Sequence, residues 1–531
     1  MIKLCSVDEI RAAEAAAIKS GVSESELMLA AGQGVARFIL ENDGTEEGQV
    51  LFLVGPGKNG GDGLVAAAHL VAHGWRALIW GFKRTDVSRA PVDAELADAF
   101  EWIDDDALAE ACQEADVIVD AVFGFGSRPS LPDEVAAAFQ LAWRARVISQ
   151  TPLVAIDVPS GIDSDTGEAA EGAFRADHTV TIGLPKQGIY QQPASEFAGL
   201  IHLLDIGLPS PDAGDGDAAL ISESDVAGWL ARRTSATQKR DAGALMVIGG
   251  APNYYGAPRM AAGAGARAGA GIVTLAVPRT LIGPISTALP EATYLPLPEG
   301  EAGGAGVRMA SLVRERLSGF QAFVLGPGLG QDSPVPEFLS ALLGNRTSVT
   351  SIGFGATPNG LKSERLHHRG VIDADGLNWL AKQDNWWSWL QDSELVLTPH
   401  PGELGRLLGV ETSAIQSDPW GYAREAAKKF GQTVVLKTGH SVVAKPDGSL
   451  LVSPQAPPSL ATAGSGDVLA GTIGGLMAQG LPAAAAAASA LYIGSQAALI
   501  GEQEIGTLGI VASDLIDGIG LALRQIYDAR W

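Results

Sequence analysis

Residues 460–480 read LATAGSGDVLAGTIGGLMAQG, a run in which four small residues, 463–466, lead into Asp467 and a long apolar stretch. A glycine-rich turn that opens a helix leaves its first N–H groups without intrahelical acceptors, and the helix dipole adds partial positive charge at the same place. Asp467 falls in the predicted first turn. An acid there has a plain use as a cap, contributing about 1 kcal/mol, but a cap does not need four small residues ahead of it. The pattern therefore predicts an anion hole for a transferring phosphoryl group, with Gly466 in the hole and Asp467 facing it.

Upstream of this turn one rhythm recurs: a short β-branched run, a glycine-bearing turn, then a helical stretch. It predicts strands at 244–248, 272–277, 322–325, 371–373, 395–398 and 434–437, and an earlier series at 50–54, 76–80, 117–120, 153–157 and 179–182. Such alternation is how a parallel α/β fold reads from sequence. Between the two series, GLPSPDAGDGDAAL at 207–220 breaks the apolar pattern and reads as a linker, so two domains are predicted, 1–213 and 214–531. Glycines at 303–306 read as a loop. Trp386, Trp387 and Trp389 read as packing, and the alanine-rich stretch 481–501, which carries Ser489, Tyr492 and Gln496, as a buried helix and not a membrane span.

The formal charge of -24 excludes broad binding to nucleic acid or anionic membranes, so any phosphate site must be local and built largely from backbone N–H groups. Cys5 and Cys112 are too few for a disulfide framework or a cysteine zinc site. The first twenty residues lack a signal-peptide pattern, and a cytoplasmic protein is expected.

Three loops carry the N-terminal chemistry. GPGKNGGDG (55–63) follows a strand and opens a helix, which suits a phosphate; Asp120 in DAVFGFGSR and Asp157 in AIDVPSG sit at two further strand ends. If the strands are neighbours, oxygen atoms of Asn59, Asp120 and Ser160 converge on a hard monovalent cation and Asp157 stays free for proton transfer. In the C-terminal half, VVLKTGHS (434–441) places Lys437 at a strand end to meet a nucleotide phosphate. TPHPGELGRLL (398–408) carries His400 and Glu403, although Pro401 and Gly402 argue against a metal-binding helix, and a capping histidine is the plain alternative. DADGLN (373–378) adds two carboxylates at a strand end, open to a metal or the substrate.

GPGKNGGDG, DAVFGFGSR and AIDVPSGID resemble the motifs of the NAD(P)H-hydrate epimerase family over roughly residues 1–210. The resemblance implies a Rossmann-like fold and interconversion of the C6 epimers of hydrated NADH or NADPH. It also implies potassium held by Asn59, Asp120 and Ser160, substrate phosphates on Lys58, Asn59, Gly60, Gly61 and Asp62 and on Gly124, Phe125, Gly126, Ser127 and Arg128, and Asp157 as the catalytic group at the nicotinamide. Lys186, in GLPKQG, is expected to pair with a phosphate or the carboxamide. Departures are Lys58, where the family usually has asparagine, and LMLAAG (27–32), in which Leu29 and Ala30 replace a polar pair.

From 225 to 531, MVIGGAPNYYGAP, LGPGLG, DADGLN, TPHPGE, VVLKTGHS and ATAGSGDVLAG together resemble a ribokinase-like fold and, more narrowly, the ADP-dependent NAD(P)H-hydrate dehydratase family. That implies dehydration of the S hydrate driven by ADP with magnesium. It also implies that Lys437, Thr438, Gly439, His440, Ser441 and Gly466 hold the nucleotide, that Ala257, Gly328 and His400 line the hydrate site, and that Asp467 is catalytic. One departure is QKRDAG (238–243), where a lysine-glycine-aromatic sequence is usual. A homo-oligomer is expected. Two other readings stay open: a small-molecule kinase built on the same fold, and a dehydratase whose N-terminal half is an inactive binding or oligomerisation module.

Overall fold

The strands begin where β-branched and aliphatic residues are continuous, because both faces of each sheet are covered and neither needs polar residues. A computed structural model describes residues 1–43, 47–126, 129–299, 305–344 and 368–528. The chain divides into two units, one of Ile2–Ala213 and one of Gly214–Trp531 with Met1.

The first unit holds β1 (Gln49–Val54), β2 (Arg76–Gly81), β3 (Glu101–Ile103), β4 (Val117–Ala121), β5 (Leu153–Ile156), β6 (His178–Ile182) and β7 (Leu200–Leu204). All pairings are parallel, and the 7-stranded order is β3-β2-β1-β4-β5-β6-β7. The order reverses beside β1, and ligand sites in open α/β sheets form at such a switch point, outside the carboxyl ends of the strands. Val50, Phe52 and Val54 pack on one face, and Leu51 and Leu53 on the other.

In the second unit, β8 (Ala218–Leu220), β9 (Ala244–Ile248), β10 (Ile272–Pro278), β11 (Thr293–Leu297), β12 (Ala322–Leu325), β13 (Arg369–Ile372), β14 (Glu394–Leu397), β15 (Thr433–Leu436), β16 (Val442–Ala444) and β17 (Leu450–Val452) follow the order β8-β17-β16-β15-β14-β13-β12-β9-β10-β11. Pairing is parallel from β11 to β15, antiparallel across β15–β16–β17 and parallel again between β17 and β8. Helix Ser465–Ala478 lies so close to helix Gly256–Arg267 that a Cβ on Gly471 would stand 2.0 Å from the Ala261 carbonyl oxygen. Glycine is required there by backbone proximity.

Several expectations need correction. Strands β5, β13, β14 and β15 end one residue early, so Asp157, Asp373, Thr398 and Lys437 lead the loops instead of closing the strands. The end of the linker, Ala218–Leu220, is a strand, since three buried apolar residues beside Leu450–Val452 gain ladder hydrogen bonds. Strands β3, β7, β11, β16 and β17 were not anticipated; β3 and β11 are short or half-exposed edges without a continuous apolar run. Gly306 belongs to helix Ala305–Leu317 and packs under Phe338, while Gly303 lies outside the described residues. The alanine-rich segment forms helix Ala483–Glu504, with Ala486, Ala490, Ile493 and Ala497 in the core. Trp386 is buried against Phe430, with ring centroids 4.7 Å apart.

Candidate active sites

At the switch point of the first sheet, Gly55 closes β1 with its N–H on the Ala121 carbonyl, and helix Lys58–Ala72 starts after Gly57. The turn is braced from behind. Arg84 is buried and donates to the carbonyls of Gly55, Gly57, Asp86 and Ser88, which fixes those oxygens away from the cavity and leaves the helix N–H groups facing it. Sequence reading missed Arg84; its only signal was a lone arginine just past β2.

The cavity in front, about 510 Å³, is lined by Lys58, Asn59, Asp62, Gly124, Phe125, Gly126 and Asp157, together with Arg11 and Glu14 of helix Val7–Lys19 and Met28 of helix Glu24–Asp43. Gly60 and Gly61, expected on the phosphate, do not line it: a Cβ on Gly60 would strike the Gly55 carbonyl, and one on Gly61 would meet Met28. Ser127 and Arg128 lie outside the described residues. Lys58 pairs with Glu24 at 2.5 Å and Glu14 at 3.8 Å. Leu29 is half-buried and Ala30 exposed; the same helix turns Leu27, Met28 and Ala31 to the cavity instead.

Asp120 and Ser160 come together as expected. Asp120 is fully buried and accepts from the Ser160 N–H at 2.7 Å, the Ser160 hydroxyl at 2.7 Å and the Val122 N–H at 3.1 Å. Among the described residues no cationic side chain pairs with it, and burial pushes its carboxyl up to about 7. Asn59 is buried at the cavity wall with its Nδ2 unpartnered. Asp120, a buried carboxylate with no cationic partner among the described residues, is the group a monovalent cation would compensate, whereas the Asn59 Nδ2, an N–H donor, would meet a substrate oxygen.

Asp157 sits at φ +72°, in the left-handed region that a non-glycine residue enters at a cost. Its Oδ2 accepts from the Phe125 N–H at 3.0 Å and its Oδ1 from the Ile182 N–H at 3.2 Å. Lys186 does not reach the cavity as expected. It is buried, ion-paired with Asp157 and hydrogen-bonded to the Ile182 carbonyl at 2.6 Å. Asp62, half-buried near Asp157 and Glu14, has its carboxyl raised well above the usual range, first by burial and then by those charges.

In the second unit the loops after β9, β12, β13 and β15 interlock. Gly250 donates to Pro327; Gly328 leaves room for Tyr254 and Ala257; the Asp373 N–H reaches the Leu325 carbonyl; and Asp375 accepts from the Gly330 N–H at 2.8 Å. The two DADGLN carboxylates therefore part company: Asp375 braces the LGPGLG loop and Asp373 meets Lys437, with Nζ 3.0 Å from Oδ1. A Cβ on Gly466 would lie 3.4 Å from Lys437 Nζ and 4.0 Å from Asp373 Oδ2, so Asp373, Lys437 and Gly466 are neighbours, while Gly328 stands against Ala257.

Helix Ser465–Ala478 starts after Gly464, whose φ of +92° calls for glycine, and Asp467 is in its first turn. Burial, then the Asp373 charge, raise the Asp467 carboxyl to about 7 against the pull of Lys437. A cavity of about 370 Å³ opens here, lined by Lys437, Thr438, Gly439, Ser441 and Gly466 and walled by Leu469, Leu491 and Ile519. His440 is not on that wall; it is buried with Nδ1 2.8 Å from the Ser453 carbonyl. His400 caps helix Pro401–Leu408, its Nδ1 accepting from Gly402 and its own N–H donating to Glu403. It also feels the charges of Lys437 and Asp373. Among the described residues no cluster of three or more His, Cys, Asp or Glu side chains forms a metal site.

Both halves match known families. The NAD(P)H-hydrate dehydratase model matches residues 245–520, and the model of the YjeF-related protein N-terminus matches residues 24–188. The bifunctional NAD(P)H-hydrate repair enzyme Nnr of Moorella thermoacetica is 32% identical over 90% of this chain and 88% of its own. That of Salinibacter ruber is 34% identical over 94% and 92%. The chain belongs to the bifunctional NAD(P)H-hydrate repair enzyme family. Within that family its two halves are both α/β, the first built on a parallel sheet and the second on a mostly parallel one. An ADP/ATP-dependent NAD(P)H-hydrate dehydratase from Bacillus subtilis, co-crystallised with ATP/Mg2+, is similar over 58% of this chain and 98% of its own, at 24% identity and a TM-score of 0.46.

Proposed function

We propose that this chain repairs hydrated NADH and NADPH in two steps, its N-terminal half interconverting the R and S epimers at C6 and its C-terminal half dehydrating the S epimer at the expense of ADP. The observation that carries the reading is that each matched half holds a cavity with a carboxylate at or next to its wall: buried Asp157 lines one, and half-buried Asp467 follows Gly466 in the wall of the other.

In the first half, Asp157 holds or moves the proton as the C6 substituent leaves and returns. The helix start at Lys58, with Asn59 and the Gly124–Gly126 turn, takes the substrate phosphates. Asn59, Asp120 and Ser160 would hold potassium, which when bound supplies the positive charge that Asp120 lacks.

In the second half, Lys437, Thr438, Gly439 and Ser441 seat the nucleotide and the N–H groups of Gly466 and Asp467 receive the transferring phosphoryl. Asp467 accepts the C6 hydroxyl proton as the oxygen takes the β-phosphoryl of ADP and AMP departs. The ring nitrogen then expels phosphate, and loss of the C5 proton restores the reduced nicotinamide. Asp373, together with the nucleotide phosphates, would hold magnesium, which when bound spreads phosphoryl charge. Ala257, Gly328 and His400 are assigned to the hydrate. The reading extends to a cytoplasmic homo-oligomer, supported by the exposed Trp143, Val147 and Ile148 on helix Asp133–Ser149.

The test is recovery of reduced-nicotinamide absorbance from mixed-epimer NADH hydrate with magnesium, potassium and ADP or ATP. Full recovery is expected. Recovery that stops at the S fraction overturns the epimerase half. Formation of a stable phosphorylated alcohol from ATP, with no recovery, returns the small-molecule kinase.

A further inference from the structure

Asp157 is held by more than its own loop. Its backbone sits at φ +72°, its side chain is almost fully buried, and among the described residues the N–H groups hydrogen-bonded to its oxygens are those of Phe125 and Ile182. The charge on it is met from behind by Lys186. That side chain is 1% exposed, bonds the Ile182 carbonyl, pairs with Asp157 Oδ1 and lies 5.6 Å from the centroid of the Phe125 ring. Lys186 is itself pinned. The Cys5 N–H donates to the Pro185 carbonyl at 2.9 Å and the Gln187 N–H to the Cys5 carbonyl at 3.1 Å, so the segment beside helix Val7–Lys19 clamps residues 185–187. Cys5, Ile10 and Leu184 close the apolar cover over this clamp, with Phe125 against it.

We propose that Lys186 is a positioning residue of the N-terminal reaction, acting through Asp157 and never touching substrate. It occupies Oδ1 from the side away from the cavity, so the carboxylate cannot rotate. Oδ2, held by the Phe125 N–H, is left as the oxygen presented beside Gly124, which would bring a Cβ 3.2 Å from it. Glycine at 124 keeps that approach open. The pair also links the reacting carboxylate to the loop that meets the substrate phosphates, because Phe125 contributes both the N–H on Asp157 and the ring beside Lys186. A buried ion pair is a costly way to stabilise a fold, since both ions lose water. Its placement on the one strained carboxylate facing the cavity gives it a use in orientation.

This inference rests on the epimerase reading of the first half. It is tested on the full chain by measuring R-to-S interconversion for Lys186→Met, Lys186→Arg, Asp157→Asn and the Asp157→Asn/Lys186→Met double variant, with circular dichroism melts on each. Lys186→Met is expected to lower kcat by about 10²-fold with KM changed less than about threefold, and Lys186→Arg to keep more of kcat than Lys186→Met. The double variant removes both charges, so it avoids an unpaired buried ion, and it is expected to be no slower than Asp157→Asn alone. Additive losses in the double variant, or a Lys186→Met enzyme with wild-type kcat, overturn the proposal while leaving the epimerase reading intact. A wild-type chain that cannot interconvert the epimers overturns both.

Discussion

Burial raises the carboxyl of Asp467, the proposed general base, to about 7. The carboxylate form must be present for catalysis, so kcat/KM of the dehydratase is expected to fall about tenfold per pH unit below that point, and a flat profile from pH 5 to 8 would remove Asp467 from the role. Asp467→Asn is expected to leave nucleotide affinity, read by calorimetry, within a few-fold while turnover drops about 10²-fold or more. Asp120 carries a prediction of opposite use. Its folded carboxyl is raised to about 7, so protonation stabilises the fold below that pH and the benefit is lost as pH rises through it. A bound cation compensates only the ionised form. The melting temperature is therefore expected to gain more from potassium, relative to a bulky quaternary ammonium ion, at about pH 8 than at about pH 5; Asp120→Asn is expected to abolish the difference.

Among the elements, two places expose their physical logic to measurement. Helices Ser465–Ala478 and Gly256–Arg267 touch backbone to backbone at Gly471–Ala261 and Gly475–Gly265. Gly471→Ala forces a methyl into a carbonyl, and a loss of about 1–3 kcal/mol in urea unfolding is expected, with dehydratase turnover lowered because the same helix presents Gly466 and Asp467. Strands β6 and β7 bring His178 and His202 together, Nδ1 to Nε2 at 3.1 Å, against Phe38. Burial lowers both, His202 to about 4. A histidine kept neutral in the fold but charged when unfolded contributes stability above the unfolded pKa of about 6.5 that is lost as pH falls toward 4. His202→Gln is expected to flatten this acid limb, worth on the order of 2 kcal/mol; an unchanged limb would show that the pair does not drive it.

For the whole molecule, the proposed sites put the two reactions in separate cavities. Asp157→Asn is expected to recover only the S fraction of a mixed hydrate preparation, and Asp467→Asn to recover none. Mixing the two variants is expected to restore full recovery, because the S hydrate diffuses between molecules. Failure of the mixture, with each variant folded, would mean that epimerised substrate must stay on one chain.

Much of this was legible in one dimension. Parallel strands buried on both faces must be continuous apolar runs, so β1, β4, β9 and β12 could be read from residue order, and glycine turns at 55–63 and 463–466 could be read because helix starts that bind anions need small residues. Asp120, Asp157, Asp373 and Lys437 stood out because a charge ending an apolar run is costly to bury without a partner, and Asp467 because four small residues lead into it. Which partner each charge takes was decided only by the tertiary structure. Lys186 lies twenty-nine residues from Asp157 and reaches it because β5 and β6 are neighbours; Asp375 turns to the Gly330 loop and Asp373 to Lys437 because β12, β13 and β15 end together. Arg84 braces the Gly55 turn and His440 turns to the Ser453 carbonyl on geometry that no spacing encodes, whereas His400 takes the capping role that was its plain alternative in the sequence. Local pattern depends on neighbours in sequence, whereas the pairing of buried charges depends on which strand ends meet in space.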